Sequence, residues 1–244
     1  MDISTKDPII KVQGLAKAYG RNKIFRNLDL IINHGEICAL IGSNGSGKTT
    51  LLKILSMLTK PDSGSFSFSG LPASKHGGNI RKLIGLVTHD HLLYNQLTSY
   101  ENLKFAGKLH DIKNIDSKIK ELSSLLKLDS VLDKRIGYLS HGFQKRVSIA
   151  RALIHNPLLL LLDEPESNLD YLSKTILFNM IKTFKDSGKT ILIATHNIEN
   201  VANVADRILL VSNNRISLDQ KINNKFTQEQ TATIYRVLNG DIEY

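Results

Sequence analysis

The chain has 244 residues, of which 41% are hydrophobic and 23% are charged; this balance suits one globular domain with a substantial core and excludes extended disorder. A single cysteine, Cys38, excludes an internal disulfide, and its apolar neighbours predict a small buried side chain. The formal charge of +9 is compatible with a solvated basic surface, a polyphosphate ligand, an anionic membrane or nucleic acid. The sequence has no RNA-binding signature, so a nucleic-acid partner is not expected.

The N-terminal segment predicts strands that lead into a glycine-rich loop. Residues 9–15 and 28–42 are rich in β-branched and aliphatic side chains, and His34 and Gly35 interrupt the second stretch. The alternating residues 66–70 predict a further strand. Between loop and strand, apolar residues repeat at helical spacing: Leu51, Leu52, Ile54, Leu55 and Leu58. The predicted order is therefore strand, loop, helix, turn and strand.

The middle of the chain is predicted to be helical, and strands return after it. An inserted α-helical subdomain is expected at about 90–157. Residues 158–165 and 190–196 are continuous apolar runs, which are typical of parallel strands covered on both faces. A helix predicted at 171–189 separates them and ends at Gly188. This order of elements predicts an α/β fold with a parallel core sheet.

The glycine-rich loop has the pattern of a phosphate-binding loop. Its sequence GSNGSGKTT matches G-x-x-x-x-G-K-[ST], between a buried strand and an amphipathic helix. Glycines let backbone N–H groups curl around phosphate oxygens, and the helix N-terminus favours an anion. The lysine can reach the β and γ phosphates, and the threonine that follows it can ligate Mg²⁺. The predicted ATP-binding residues are Gly42, Ser43, Asn44, Gly45, Ser46, Gly47, Lys48, Thr49 and Thr50.

Polar side chains follow the two later apolar strands. Asp163 and Glu164 end the run LLLLLDEP, where Asp163 can hold Mg²⁺ through water and Glu164 can polarise the water that attacks the γ-phosphate. His196 follows the next strand at the same sheet edge, where it could contact the γ-phosphate or orient that water. A lone histidine is usually structural, but this position favours a functional one. The predicted catalytic residues are Lys48, Glu164 and His196.

Together these motifs resemble the nucleotide-binding subunit of an ATP-binding cassette transporter, from residue 9 to about 217. The resemblance implies a P-loop NTPase with a RecA-like parallel core sheet, an N-terminal antiparallel β subdomain and the inserted helices. It implies an ATP-binding domain at 1–218, followed by a tail at 219–244 to which we assign no role. It also implies ATP and Mg²⁺ as ligands and ATP hydrolysis as the reaction.

The same resemblance implies roles for four further residues. Tyr19 in KAYG matches the aromatic residue that stacks on adenine, and Asp170 in SNLD would act across a dimer interface. The stretch LSHGFQKR occupies the position of the family's signature motif. In such proteins two cassettes pair head to tail, so Ser140 and Gly142 would approach the γ-phosphate held by the second cassette.

Three positions depart from the family pattern. His141 replaces a glycine and Phe143 a glutamine of the signature, and His89 replaces the glutamine that ends a strand and senses Mg²⁺. We expect a working but modified signature, with loss of function as the alternative. We also expect His89 to take over the role of that glutamine at the Mg²⁺ ion, since an imidazole can coordinate a metal or form a hydrogen bond. A zinc site at His89 and His91 is not expected, because no further ligands cluster there.

These departures are similar to features of the ATPase subunit of the haem exporter of cytochrome c maturation. The similarity is carried by His89, residues 92–105 and the form L-S-x-G-hydrophobe. Residues 97–103 are also similar to ATPases of drug, polysaccharide and sodium exporters. The predicted function is MgATP hydrolysis by a pair of cassettes, with a homodimer favoured over a heterodimer. The pair drives separate integral-membrane permease subunits, for haem export or for another exporter.

The predicted location is the cytoplasmic face of the inner membrane, as a peripheral subunit. The longest apolar run, residues 158–162, is too short to span a bilayer, and the N-terminus lacks the features of a secretion signal. Two other classes stay open. One is a non-transport cassette such as an iron-sulfur assembly ATPase, and the other is a regulatory cassette that binds ATP but hydrolyses it poorly.

Overall fold

The computed structural model describes residues 6–222 and 234–236, so part of the predicted tail at 219–244 lies outside the described residues. The strands are β1 Ile10–Tyr19, β2 Asn22–Ile32, β3 Ile37–Ile41, β4 Ser63–Phe68, β5 Leu71–Pro72, β6 Ile84–Val87, β7 Leu159–Asp163, β8 Thr190–Thr195, β9 Arg207–Ser212 and β10 Arg215–Lys221. The helices are α1 Lys48–Leu55, α2 Ala73–Arg81, α3 Ser99–Leu109, α4 Ile115–Leu126, α5 His141–Leu153, α6 Tyr171–Asp186 and α7 Ile198–Val201. Short 3-10 turns lie at Asp129–Val131 and Ile136–Tyr138.

The strands form two sheets, as the sequence predicted. A six-stranded sheet has the order β10-β9-β3-β8-β7-β6, in which β9, β3, β8, β7 and β6 pair in parallel. A four-stranded antiparallel sheet has the order β2-β1-β4-β5. The α/β fold with a parallel core sheet and an N-terminal antiparallel sheet is therefore confirmed.

The parallel sheet is buried on both faces, which explains its continuous apolar runs. Successive side chains of a strand point to opposite faces, and those of β3 divide accordingly. Ile37 and Ile41 pack into the hydrophobic cluster that includes the helices α4, α5 and α6. Cys38 and Leu40 pack into the second cluster, together with α1 and the antiparallel sheet. Cys38 is fully buried as predicted, and burial raises the pKa of its thiol.

Local capping sets the ends of two of the helices. The Thr98 side chain accepts a hydrogen bond from the backbone N–H of Glu101, whose carboxylate accepts one from the backbone N–H of Thr98 in return. Helix α6 ends just before Gly188, which has a φ of 76°, a conformation that glycine adopts without strain. Helices α3, α4 and α5 lie between β6 and β7, and the bounds of the inserted subdomain, about 90–157, stay a prediction.

One predicted boundary falls within a strand. Strand β10 runs from Arg215 to Lys221 and pairs with β9, so the core sheet extends past the predicted domain end at residue 218. The polar sequence RISLDQK hides this edge strand, because none of its residues is fully buried. Arg207 on β9 fixes the pair by donating two hydrogen bonds to Asp219, at 2.6 and 2.5 Å.

Within the described parts of the chain, no helix combines the length and apolarity needed to cross a membrane.

Candidate functional site

The phosphate loop connects β3 to the N-terminus of α1. A Cβ atom at Gly42 would overlap the Ser46 side chain and lie 2.9 Å from the Val211 carbonyl. Gly47 has a φ of 107°, and a Cβ there would lie 2.7 Å from the Phe25 ring. Both glycines are therefore needed by the protein's own packing, in addition to the backbone access that the sequence argument gave for them.

Lys48 lies buried under this loop. Its ammonium group donates hydrogen bonds to the carbonyls of Gly42, at 2.7 Å, and Ser43, at 3.1 Å. Burial lowers the pKa of Lys48, while the nearby charges of Glu164 and Asp163 oppose that shift. The structure thus brings the predicted lysine and both predicted carboxylates into one electrostatic neighbourhood. The ammonium group is held at the base of the loop by neutral carbonyls, which phosphate oxygens can replace as stronger acceptors.

Asp163 ends β7 and is only 3% exposed. Burial raises the pKa of its carboxyl group, while a hydrogen bond with the Thr49 side chain lowers it. Its Oδ1 atom is buried and has no hydrogen-bond partner among the described residues. A buried carboxylate oxygen without a partner is costly unless a ligand satisfies it. Carboxylate and hydroxyl oxygens are ligands that Mg²⁺ accepts, so Asp163 and Thr49 fit the ion that the sequence predicted.

Glu164 and His196 form a direct pair at the adjacent strand ends. Glu164 Oε1 and His196 Nδ1 are 2.9 Å apart, and Ser167 donates a hydrogen bond to Glu164 Oε2 at 3.2 Å. Burial alone would raise the pKa of Glu164, but the hydrogen bonds from His196 and Ser167 outweigh it, so the pKa lies below its usual value. Glu164 also has a φ of 44°, an uncommon backbone conformation that turns its side chain out of the strand direction.

Replacing His196 with alanine should shift the pH dependence of ATP hydrolysis. Because His196 lowers the pKa of Glu164, its loss raises that pKa, and the acidic limb of the kcat profile should move to higher pH. A hydrogen bond to a charged group contributes about 1.5–3 kcal/mol, so we expect kcat to fall about 10- to 100-fold. The measurement is kcat against pH for the parent and His196→Ala proteins. An unchanged acidic limb would show that His196 does not act through Glu164.

His89 lies on the loop after β6 and lines a small cavity with His91, His141, Lys145, Ser167 and Asn168. His91 Nε2 and His141 Nδ1 are 3.4 Å apart, and their rings meet edge to face. No group of three or more His, Cys, Asp or Glu residues suited to a metal ion occurs in the described part of the chain. The side chain that replaces the signature glycine therefore contacts the loop that carries the other departure.

Helix α5 is also tied to the backbone of that loop region. The Ser148 hydroxyl donates a hydrogen bond to the His91 carbonyl at 2.7 Å. The Arg151 guanidinium donates one to the Leu86 carbonyl at 2.9 Å. No local sequence pattern predicts these contacts, because they join residues that are more than 55 positions apart. Segment 86–91 and helix α5 are consequently joined at two main-chain oxygens as well as at the histidine pair.

The signature residues lie at the start of α5. Ser140 is the N-cap, is exposed and makes no side-chain capping bond, so its hydroxyl is free to meet a ligand. A Cβ at Gly142 would lie 2.7 Å from the Ser173 hydroxyl, which gives this glycine a packing role within the chain. Asp170 caps α6 by accepting a hydrogen bond from the Ser173 backbone N–H at 2.7 Å.

Tyr19 ends β1 and is 50% exposed, with the Lys17 ammonium group 5.4 Å from the centre of its ring. The neighbouring strand β2 packs against the phosphate loop through Phe25 and Gly47. The ring of Tyr19 is therefore on the surface and open to a stacking partner, whereas a core role would have buried it.

Two buried charged residues near the site were missed by the sequence argument. Lys145 is 3% exposed, and burial lowers its pKa against the opposing charges of Asp163, Glu166 and Glu164. Glu166 is also buried, accepts a hydrogen bond from the Thr195 hydroxyl and has its Oε2 atom unpartnered among the described residues. No local signal separates Lys145 from its polar neighbours Gln144 and Arg146 on α5.

Comparison with known proteins decides the family. The family model described as ABC transporter matches residues 25–167, which include the loop, the signature and both carboxylates. This chain belongs to the ABC transporter family. The chain is the ATP-binding cassette subunit of such a transporter, and the reaction that it catalyses is ATP hydrolysis.

Individual relatives match this cassette over most of its length. The ABC transporter ATP-binding protein NatA of Bacillus subtilis is 31% identical over 87% of each chain. The lantibiotic transport ATP-binding protein SrtF of Streptococcus pyogenes is 34% identical over 91% of this chain and 95% of its own. A dimeric structure of the ATP-binding cassette MJ0796, in a post-hydrolysis state bound to ADP and Pi, superposes with a TM-score of 0.80 at 28% identity, over 88% of this chain and 99% of that one.

Proposed function

We propose that this cassette supplies ATP-driven work to an exporter whose membrane-spanning subunits are separate chains. The observation that carries the proposal is the pairing of Glu164 with His196 beside Lys48 and Asp163. These are the groups that phosphate binding and water activation require, on neighbouring elements of one sheet edge. Their retention disfavours a regulatory cassette that only binds ATP.

The nucleotide is proposed to bind with its phosphates in the loop at residues 42–50 and its adenine on the exposed ring of Tyr19. Thr49 and Asp163 are proposed to hold Mg²⁺, and His89 is proposed to contribute from the loop after β6. Bound there, Mg²⁺ would neutralise phosphate charge. Lys48 would exchange its carbonyl acceptors for phosphate oxygens, which are stronger acceptors.

Glu164 is proposed to act as the general base. A water oxygen attacks the γ-phosphorus, the bond from that phosphorus to the bridging oxygen of ADP breaks, and Glu164 takes the proton of the water. The pKa of Glu164 lies below its usual value, so the carboxylate is ionised at neutral pH and has the free electron pairs that proton transfer requires. His196 holds Glu164 in position through the 2.9 Å contact.

A second copy of the chain is proposed to complete each site. Ser140, Gly142 and the N-terminus of α5 would face the γ-phosphate bound by the partner, since Ser140 is exposed and its hydroxyl caps nothing in its own helix. Asp170 orders the start of α6 at the same surface. The relative MJ0796 is a dimer, and one chain that keeps all the hydrolytic groups can form two equal sites as a homodimer.

An exposed apolar patch offers a docking surface for the membrane subunits. It consists of Tyr94, Phe105 and Leu109, which are 57%, 43% and 66% exposed. The rings of Tyr94 and Phe105 meet edge to face with centroids 5.4 Å apart, and Leu109 lies one helical turn further along α3. Asn102 on α3 anchors the loop that carries Tyr94. Its side chain accepts a hydrogen bond from the Tyr94 backbone N–H and donates one to the Tyr94 carbonyl. Clustered exposed apolar residues commonly mark an interaction site.

The transported molecule is proposed to be an exported one. The printed names of two relatives, the lantibiotic transport protein SrtF and the Nod factor export protein of Ralstonia nicotianae, support export as the direction of transport. The narrower hypothesis of haem export rests on His89 and the hydrophobic Phe143 in the signature. It stays a hypothesis alongside export of another molecule, and the next experiment separates the two.

The test is to isolate the chain from its native membranes in mild detergent and identify the proteins that accompany it. We expect integral-membrane subunits to co-purify with MgATP hydrolysis. The double change Phe105→Ser and Leu109→Ser should lower their recovery at least about tenfold, since two exposed apolar anchors of an interface are lost. ATP binding by the isolated variant should equal that of the parent.

The matched control is Leu58→Ser, because Leu58 is 59% exposed and lies outside the patch. Recovery of haem-handling membrane subunits would favour the narrower hypothesis, and another permease would exclude it. Absence of any membrane protein from the preparation would contradict the transporter proposal and favour a non-transport cassette.

A further inference from the structure

A basic groove lies on the side of the antiparallel sheet, away from the phosphate loop. It encloses about 930 Å³ between β1, β4, the turn after α1, and α2. The loop is at the N-terminus of α1 and the groove at its C-terminus, about 12 Å away at 1.5 Å per residue. Met57 and Ala73 supply partly exposed apolar surface, and the wall is the polar face of the sheet, where Lys11 pairs with Ser67.

Four cations line this groove against a single carboxylate. They are Lys11 on β1, Lys60 in the turn, and Lys75 and Arg81 on α2, and all are exposed. None of them forms an ion pair with another residue of the described chain. The carboxylate is Asp7. Neighbouring like charges repel one another, so the groove favours an anionic occupant, independently of the function proposed above.

Two adjacent glycines in α2 border the groove. At Gly77 a Cβ would lie 3.2 Å from Met57 Sδ, so a side chain there would have to displace the methionine by a few tenths of an ångström. A Cβ at Gly78 would meet no atom within 4 Å, so internal packing does not explain this glycine. Glycine inside a helix costs about 0.5–1 kcal/mol relative to alanine. The absence of a side chain at Gly78 leaves the backbone of α2 accessible where an occupant of the groove would approach.

We propose that this groove binds an acidic segment of a partner protein in an extended conformation. The cations are distributed over separate elements, and Lys75 and Arg81 are about 9 Å apart along α2. Such spacing suits carboxylates on alternate residues of an extended strand, about 7 Å apart, better than it suits one compact phosphate. The concave shape and the apolar surface of Met57 and Ala73 provide room for side chains between the carboxylates, whereas a flat bilayer would meet only the rim.

The test uses the full-length chain and three labelled pools of synthetic octapeptides. The pools carry four Glu, four Gln or four Lys, and their other positions are drawn from Leu, Phe, Ser and Gly. We expect fluorescence anisotropy to show binding of the Glu pool alone, weakening as salt rises from about 0.05 to 0.5 M. The double change Lys11→Glu and Lys75→Glu should weaken it at least tenfold. Gly78→Gln should also weaken it at least tenfold, by narrowing the groove at unchanged charge.

The charge-matched control is the double change Lys120→Glu and Lys182→Glu, at two exposed lysines outside the groove. This variant should bind the Glu pool as tightly as the parent chain does. Thermal unfolding checks that every variant is folded. Failure of the parent chain to bind the Glu pool, or equal weakening by the control, would overturn the proposal. A third result would also overturn it: no binding of any peptide pool, but binding of phosphatidylglycerol vesicles that depends on Lys11 and Lys75 and is unaffected by Gly78→Gln. The surface would then be a lipid contact.

Discussion

Replacing Glu164 with glutamine should nearly abolish ATP hydrolysis while leaving ATP binding intact. Glutamine keeps the size of the side chain and an oxygen that can accept the Ser167 hydrogen bond, but it cannot take a proton from water. General base catalysis contributes about 10²- to 10⁴-fold, so kcat should fall within that range. Because ATP then persists, a paired cassette should accumulate, which gel filtration with and without MgATP would detect.

The matched control for this change is Glu121→Gln, on the exposed surface of α4, where Lys118 is its partner. It removes the same charge from the chain and should leave kcat and pairing as in the parent. If Glu164→Gln hydrolysed ATP at the parent rate, the assignment of Glu164 as the base would be wrong, whatever its effect on pairing.

Replacing Lys48 with alanine should abolish measurable nucleotide binding. The buried ammonium group offers three donors, and each hydrogen bond to a charged phosphate contributes about 1.5–3 kcal/mol. Loss of two such bonds corresponds to a fall in ATP affinity of at least about 100-fold. Equilibrium binding of a fluorescent ATP analogue measures this directly, and turnover should fall with it at sub-saturating ATP.

Lys48 also supports the loop by donating to Gly42 and Ser43, so the alanine variant needs a check of its folding. Lys48→Gln retains length and hydrogen-bond donors without the charge, and it should bind ATP weakly but unfold at close to the parent temperature. Lys53→Ala removes an exposed lysine from the same helix and should bind ATP normally. Normal binding by both Lys48 variants would contradict the role given to its charge.

The sequence was informative where chemistry depends on contiguous residues. The phosphate loop, the carboxylates at the end of β7 and the buried strands are local patterns, because each reflects one strand, one turn or one helix end. The structure adds packing reasons that no local pattern contains. Gly47 is required by Phe25 on β2, and Gly142 by Ser173 on α6.

The sequence was less informative where partners are distant or a strand is half covered. It could not pair His91 with His141, because fifty residues separate them. It placed a boundary inside β10, because an edge strand with polar residues lacks the apolar run that marks buried strands. It also missed Lys145, since the burial of a lysine is decided by carboxylates on other elements.

The two bonds from α5 to segment 86–91 use main-chain oxygens, those of Leu86 and His91, as acceptors. Every residue type supplies such an oxygen, so this mechanical link makes no demand on which side chains occupy the segment. Substitutions at positions such as His89 and Asp90 therefore leave both acceptors in place, and the hydrogen bonds from Ser148 and Arg151 keep the segment and α5 joined.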